Sequence, residues 1–159
     1  MILFLLVFFL FIGVVLNYLY LWKPRNMTSF YNGNIPLWFA HRGASNAAPE
    51  NTISAFNKAV KNGASGLEID VISTLDGVLL CSHNFDLERE TDFGGYIDEL
   101  PYHRIKDANA ALHWNSEREG LPKLKEVLRI VPKHVRLNIE IKSRSFYDIS
   151  AARDVVELV

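Results

Sequence analysis

Cysteine is nearly absent from this chain, whose 159 residues include only Cys81. A single thiol excludes an internal disulfide, and it also excludes a zinc site built from several thiolates. Because it lies in the apolar run GVLLCSH, Cys81 is predicted to be a small buried residue rather than a nucleophile. An excess of basic residues is absent as well, since the formal net charge is −1. No nucleic-acid partner is therefore expected, because such a partner usually requires a basic stripe.

Charged side chains are missing altogether from residues 1–22, MILFLLVFFLFIGVVLNYLYLW. An apolar stretch of this length can span a bilayer as one helix, which needs about 20 residues. Tyr18, Tyr20 and Trp22 near its end are typical of the aromatic belt at a membrane interface. The chain is therefore predicted to be a single-pass membrane protein, with a transmembrane anchor helix at 1–22 and a polar linker at 23–35.

Two other interpretations of this segment stay open. A cleaved signal peptide normally has a basic region before its apolar part and a small-residue cleavage site after it, and both are lacking here. A buried core helix would show a polar face, which this segment also lacks. Lys23 and Arg25 favour a cytoplasmic location for the residues that follow the helix, but two charges leave the side of the membrane undecided.

In the rest of the chain, short apolar runs alternate with helical patterns, which indicates an α/β fold with a parallel sheet. Four strands are predicted, in the runs LWFAH, GLEIDVIS, VLLCSH and VRLNIEIK. Helices are predicted after a cap at Asn51 or Thr52, over LPKLKEVLRIV with Pro122 in its first turn, and in YDISAARDVVELV. Trp38 and Phe39 are expected in the core.

Ionisable residues interrupt these apolar runs near their carboxyl ends. A buried carboxylate is costly unless it is paired or binds a metal ion, and carboxylate oxygens are ligands that suit Mg²⁺ or Ca²⁺. Barrels and open parallel sheets place their active sites at the carboxyl ends of their strands, so these side chains are predicted to meet in one pocket. Ordinary surface ion pairs would explain any one of them, but not ionisable residues on all four strands. The residues are His41, Arg42, Glu68, Asp70, His83, Glu140 and Lys142.

The segments AHRGASNAAPENTISAF, GLEIDVISTLDGVLLCSH, LPKLKEVL and LNIEIK, in this order, resemble the glycerophosphodiester phosphodiesterase family over about residues 37–142. The resemblance implies an α/β fold of the (β/α)₈ TIM-barrel type, with a small insertion after the third strand, here at about 84–115. A complete barrel needs about 250 residues. Residues 36–159 are therefore expected to be the N-terminal part of such a domain, with about four strands, truncated at the C-terminus.

The resemblance also implies an activity and a set of roles. The family hydrolyses glycerophosphodiesters to glycerol 3-phosphate and an alcohol with a divalent metal, here Mg²⁺ or Ca²⁺. The implied residues are the metal ligands Glu68, Asp70 and Glu140, the general acid–base pair His41 and His83, and the phosphate-binding groups Arg42 and Lys142. Glu50 is expected to support the site through a hydrogen bond. Asn84 stands where the family usually has Asp, and it is expected to hold similar geometry without the charge.

The sequence thus predicts a membrane-anchored, metal-dependent phosphodiesterase of lipid metabolism, acting on a glycerophosphodiester or a lysophospholipid. Two alternatives remain. One is a related phospholipase of the phosphatidylinositol or sphingomyelin type, against which the PENT and IEIK segments argue. The other is a non-catalytic membrane protein built on a truncated copy of the domain.

Overall fold

The computed structural model describes residues 2–21, 23, 36–145 and 147–159. The chain forms two compact units, Met1–Ile35 and Pro36–Val159. The predicted linker lies outside the described residues apart from Lys23.

In the first unit, helix α1 spans Ile2–Leu16 and continues as a π-helical turn over Asn17–Leu21. The large apolar side chains of this stretch are exposed, Phe4 for example by 75% of its surface. By length and composition, Leu3–Leu21 could cross a bilayer, although signal sequences and core helices can have the same length and composition.

The second unit is built around a four-stranded sheet whose central strand is β2, Gly66–Ser73. Strand β1, Phe39–His41, runs parallel to the first half of β2, and strand β4, Arg136–Ile141, runs parallel to β2 from Gly66 to Val71. Seven of the eight β2 residues are buried, as expected for a strand with layers on both faces. The predicted parallel arrangement is confirmed for these three strands.

Strand β3, Leu79–Cys81, departs from the prediction because it runs antiparallel to β2. Only a tight turn joins the two strands, with Thr74 accepting from Gly77 N at 3.0 Å and donating its backbone N–H to Val78 O at 2.9 Å. A parallel connection requires a crossover of a dozen or more residues, so this turn allows only a hairpin. The expectation of four parallel strands was therefore wrong by one.

Three helices of this unit contribute buried side chains to the main core beside the sheet, among them Phe56, Leu124 and Val155. Thr52 is the N-cap of the first of them, and its side-chain oxygen accepts from Ala55 N at 3.3 Å. Pro122 lies before the helix it was predicted to open, whose N-cap is Lys123. In chain order the helices of this unit are α2, Ile53–Lys61; α3, Tyr102–Ile105; α4, Leu124–Ile130; and α5, Ser150–Leu158.

Gly43 fits β1 closely to α2. It has a φ of +82°, and a Cβ there would lie 2.7 Å from the carbonyl carbon of Ala55, so only glycine makes this turn without strain. The expected burial of Trp38 and Phe39 was wrong, because they are 70% and 39% exposed. Phe39 instead rests on the backbone of Gly66, where a Cβ would lie 2.4 Å from its ring.

The segment between β3 and α4 contains short helices: 3-10 turns at Leu87–Arg89 and Ile97–Glu99, and then α3. Asp76 in the hairpin turn ties this segment to the sheet, because its Oδ1 accepts from Tyr102 N at 2.8 Å. Arg144, just after β4, holds it from the other side through an ion pair with Asp98 at 3.2 Å. The segment is thereby fixed beside the carboxyl ends of β2 and β4.

Candidate active site

The register of the parallel strands brings predicted site residues together at the carboxyl end of the sheet. His41 is paired with Glu68 across β1 and β2, and Asp70 is paired with Glu140 across β2 and β4. Side chains at paired positions of parallel strands point to the same face, and so do residues two apart on one strand. Lys142 follows β4 directly and donates its backbone N–H to Val71 O at 2.9 Å, which keeps it at the carboxyl end of the sheet.

Three carboxylates meet as the sequence predicted. Oxygens of Glu68, Asp70 and Glu140 lie within 4.8 Å of one another. Glu68 is 8% exposed and Asp70 is fully buried, whereas Glu140 is exposed. Buried carboxylates this close repel one another strongly unless cations balance them.

Two cationic side chains supply part of that balance. Lys142 Nζ lies 3.1 Å from Asp70 Oδ1 and 2.6 Å from Glu140 Oε1, and Arg42 Nε lies 3.0 Å from Asp70 Oδ2. Burial opposes the ionisation of Asp70, but the hydrogen bond from Asn51 and the charges of Lys142 and Arg42 outweigh it, so the pKa of Asp70 is lowered. Burial likewise opposes the charged form of Lys142, but Glu140 and Asp70 raise its pKa above the usual value.

The donor set fits a divalent cation. Asp70 Oδ1 is buried and forms an ion pair with Lys142 Nζ at 3.1 Å. The three carboxylates carry one more negative charge than the Lys142 and Arg42 cations paired with Asp70, and a divalent cation would offset this excess. All three groups are carboxylates, which are the ligands that hard cations such as Mg²⁺ and Ca²⁺ prefer. The cluster of Glu68, Asp70 and Glu140 therefore has the chemistry of a metal site.

Asn51 is a site residue that the sequence reasoning missed, since it was considered only as a helix cap. It is fully buried, and its amide grips Asp70 at two points. Its Nδ2 donates to Asp70 Oδ2 at 3.0 Å, and its Oδ1 accepts from Asp70 N at 3.1 Å. Its φ of +56° is an uncommon conformation that Asn tolerates better than most residues. The sequence signal that could have identified Asn51 is its place in the PENT segment, one residue before the N-cap Thr52.

Both the backbone N–H and the side chain of Arg42 form hydrogen bonds within the site. It also has a φ of +56°, its backbone N–H donates to Glu68 Oε2 at 2.9 Å, and its Nη1 donates to Glu50 Oε1 at 2.9 Å. Residues kept in such sparsely populated conformations are common at functional sites. Glu50 thus forms a hydrogen bond with the arginine that was predicted to bind phosphate.

The two predicted histidines differ in their surroundings. The side chain of His41 is 68% exposed, and its Nε2 lies 3.9 Å from Glu68 Oε2. His83, two residues beyond β3, is partly buried, and it lies within 4.8 Å of the carboxylates of Glu50 and Glu90. Glu50 is therefore close both to Arg42 and to His83, which connects the ends of β1 and β3 at one site.

Glu90 is the second residue that the sequence reasoning missed. Its carboxylate accepts from Ser82 Oγ at 3.2 Å and from Asn84 Nδ2 in a very short contact. Arg89 Nη1 donates to Asn84 Oδ1 at 3.3 Å. Asn84 is therefore oriented at both ends of its amide. Cys81, in contrast, is fully buried, and burial raises the pKa of its thiol, so it is a core residue as predicted.

Comparisons with known proteins agree with this geometry. The model of the "Glycerophosphoryl diester phosphodiesterase family" matches residues 41–158. Glycerophosphodiester phosphodiesterase 1 of Mus musculus is 34% identical over 137 residues, covering 84% of this chain and 37% of that protein. The glycerophosphodiester phosphodiesterase of Caldanaerobacter subterraneus is 39% identical over 110 residues, covering 67% of this chain and 45% of that protein. The chain thus spans less than half the length of these curated relatives.

Solved structures show the same fold. A glycerophosphodiester phosphodiesterase from Agrobacterium tumefaciens matches with a TM-score of 0.68 and 30% identity, over 77% of this chain and 53% of that one. An Oleispira antarctica phosphodiesterase in complex with the product sn-glycerol-3-phosphate matches with a TM-score of 0.71 and 29% identity, over 80% of this chain and 53% of that one. These neighbours are TIM barrels, so β1, β2 and β4 with their helices form part of such a barrel. The chain belongs to the glycerophosphoryl diester phosphodiesterase family.

Proposed function

We propose that this chain carries the catalytic machinery of a metal-dependent phosphodiesterase that hydrolyses glycerophosphodiesters to glycerol 3-phosphate and an alcohol. The observation that supports this most directly is the grouping at Asp70. There, the buried carboxylate of Asp70 is paired with both Lys142 and Arg42 and lies beside two further carboxylates. Phosphodiester hydrolysis needs both parts, because the substrate is an anion and further charge develops as the bridging oxygen leaves.

The metal ligands in this proposal are Glu68, Asp70 and Glu140. When bound there, Mg²⁺ or Ca²⁺ would supply positive charge that offsets the charge of the phosphate. The protein's own contribution to the ligands is orientation, since Asn51 fixes Asp70 and the backbone N–H of Arg42 fixes Glu68. Ligands that are held in this way lose less entropy when they bind the ion.

Arg42 and Lys142 are proposed to bind the phosphate, and His41 and His83 to move the protons. Arginine presents a planar set of donors that suits phosphate oxygens, and Glu50 holds it in place through the 2.9 Å hydrogen bond. Imidazole titrates near neutral pH, so one histidine can accept a proton from the attacking hydroxyl while the other donates one to the leaving alkoxide. The exposed ring of His41 is open to a substrate.

The decisive experiment is hydrolysis by the full-length protein. Glycerophosphocholine and lysophosphatidylcholine would be supplied separately. Glycerol 3-phosphate would be measured from the first, and lysophosphatidic acid or phosphocholine from the second, each with an excess of EDTA and after Mg²⁺ or Ca²⁺ is restored. We expect activity on glycerophosphocholine that EDTA abolishes and one of the two ions restores. Asp70→Asn should remove it, whereas Asp107→Asn, at an exposed position, should not.

Each other outcome contradicts a definite part of the proposal. Undiminished activity in EDTA would refute the metal. Activity on the lysolipid alone would favour the related phospholipase. Absence of activity with both substrates and either ion would favour a non-catalytic membrane protein.

We also propose that Leu3–Leu21 anchors the protein in a membrane, where it would bring the site close to lipid-derived substrates. The support is an apolar helix long enough to cross a bilayer, without the flanking features of a cleaved signal. The protein should then stay with membranes through alkaline carbonate extraction. A mature N-terminus located beyond residue 21 by terminal sequencing would instead show that the segment is a signal peptide.

A further inference from the structure

Glu90 places an additional carboxylate beside one of the two proposed proton-transfer groups. Carboxylate oxygens of Glu50 and Glu90 and a ring nitrogen of His83 lie within 4.8 Å of one another. Glu50 already has a cationic partner, because Arg42 Nη1 donates to it at 2.9 Å. Among the described residues, no lysine or arginine forms a salt bridge with Glu90, and the protonated imidazole of His83 is close enough to balance its charge.

The hydrogen bonds around Glu90 fix its carboxylate. Ser82 Oγ donates to Oε2 at 3.2 Å, and Asn84 Nδ2 donates to Oε1. Arg89 Nη1 donates to the other end of the same amide at 3.3 Å, which keeps the NH₂ group of Asn84 directed at Glu90. The residues before and after His83 therefore both hold the Glu90 side chain, and the carboxylate is tied to the segment that carries the histidine.

Position 84, next to the histidine, carries an amide rather than a carboxylate in this chain. The resemblance to the family implies an Asp after the strand-end histidine, whereas this chain has Asn84 there. The chain therefore lacks a carboxylate at that position but has one six residues later, in direct contact with the replacing amide.

We infer that Glu90 is a positioning residue for His83, and that it supplies from position 90 the carboxylate that this chain lacks at position 84. A fixed anion beside an imidazole stabilises the imidazolium formed during proton transfer and restricts the orientation of the ring. Glu90 therefore acts through His83 and does not itself touch the substrate. This inference rests on the proposed phosphodiesterase function, in which His83 moves a proton.

The test compares three variants of the full-length protein with its metal bound, assayed on glycerophosphocholine. Glu90→Gln keeps the size and one hydrogen-bond acceptor but removes the charge. Asn84→Asp combined with Glu90→Gln returns a carboxylate to the other side of the contact. Glu88→Gln, at an exposed position in the 3-10 turn that ends just before Glu90, is the matched control.

We expect Glu90→Gln to lower kcat by about 10- to 100-fold, as part of the 10²- to 10⁴-fold that general acid–base catalysis contributes. KM should change by less than about 2-fold, because phosphate binding depends on other groups. The double variant should recover to within about 3-fold of the wild-type kcat, and Glu88→Gln should behave as wild type.

The inference is overturned if Glu90→Gln retains the kcat of Glu88→Gln, or if the double variant is as slow as the single one. A lowered kcat without rescue would mean that Glu90 only maintains local structure. If the wild-type protein has no activity, the proposed function fails and this inference fails with it. Activity in the wild type with no effect of Glu90→Gln refutes the inference alone.

Discussion

The two hydrogen bonds between Asn51 and Asp70 allow a quantitative prediction of how much stability Asn51→Ala removes. The substitution removes a hydrogen bond to a buried carboxylate, worth about 1.5–3 kcal/mol, and leaves the N–H of Asp70 without its acceptor at 3.1 Å. An unpaired buried N–H costs about 1–3 kcal/mol. Alanine at a φ of +56° adds about 1 kcal/mol of backbone strain. Because these effects overlap, we expect the free energy of unfolding to fall by about 3–5 kcal/mol.

The assay is urea-induced unfolding of the full-length protein in detergent micelles, with two comparison variants. Asn51→Gly loses the same hydrogen bonds without the strain, so it should be about 1 kcal/mol more stable than Asn51→Ala. Asn57→Ala, at an exposed position of α2, should be nearly neutral. If Asn51→Ala lowers the free energy of unfolding by less than about 1 kcal/mol, or by no more than Asn57→Ala does, the two hydrogen bonds do not stabilise Asp70.

The remaining predictions concern catalysis and pH. His41→Ala and His83→Ala should each lower kcat by about 10²- to 10⁴-fold with little change in KM. Near-normal kcat in both variants would mean that the histidines are structural. Arg42→Ala should instead lower kcat and raise KM, because phosphate contacts act in the ground state and the transition state. Burial, followed by the nearby charge of Glu50, raises the pKa of Glu90, so the folded state holds this proton more tightly than the unfolded state does. Ionisation of Glu90 therefore costs stability above the ordinary carboxyl range, and Glu90→Gln should raise the thermal midpoint at pH 7 but not at pH 4. Equal shifts at both pH values would contradict this account.

Much of the site could be predicted from the sequence because its residues sit on strands with strong local patterns. β2 was predicted with the bounds that the structure has, Gly66–Ser73, since a continuous apolar run bounded by glycine and a turn has few other interpretations. The spacing of Glu68 and Asp70 then requires that both face one side. Their meeting with Glu140 followed from the expectation that parallel strands share their carboxyl ends.

The parts that were missed depend on register and on contacts between distant segments. Nothing in the run VLLCSH distinguishes a parallel strand from the second arm of a hairpin, and only the turn at Thr74 decides it. Asn51 precedes α2 by two residues, as a cap could, but its amide reaches Asp70, 19 positions along the chain. Glu90 lies in an irregular segment with no periodicity, so its approach to His83 depends on how that segment folds back.

Charge in this site leads to a last prediction, which concerns binding rather than turnover. In the part of the chain that the structure describes, four carboxylates, those of Glu50, Glu68, Asp70 and Glu140, lie beside two lysine or arginine cations, Arg42 and Lys142. The cations that would bind phosphate are thus engaged by carboxylates, and the group as a whole is negative.

An anionic ligand should therefore be repelled until a divalent cation offsets this excess. Calorimetric titration of the full-length protein with glycerol 3-phosphate should show binding in Mg²⁺ or Ca²⁺ and a loss of at least about 10-fold in affinity in EDTA, a difference of about 1.4 kcal/mol. Lys125→Met, an exposed lysine of α4, should leave this metal dependence unchanged, whereas Lys142→Met should weaken binding in the presence of metal. Equal affinity with and without the ion would mean that Arg42 and Lys142 bind phosphate in spite of their carboxylate partners, and that the metal serves the chemical step alone.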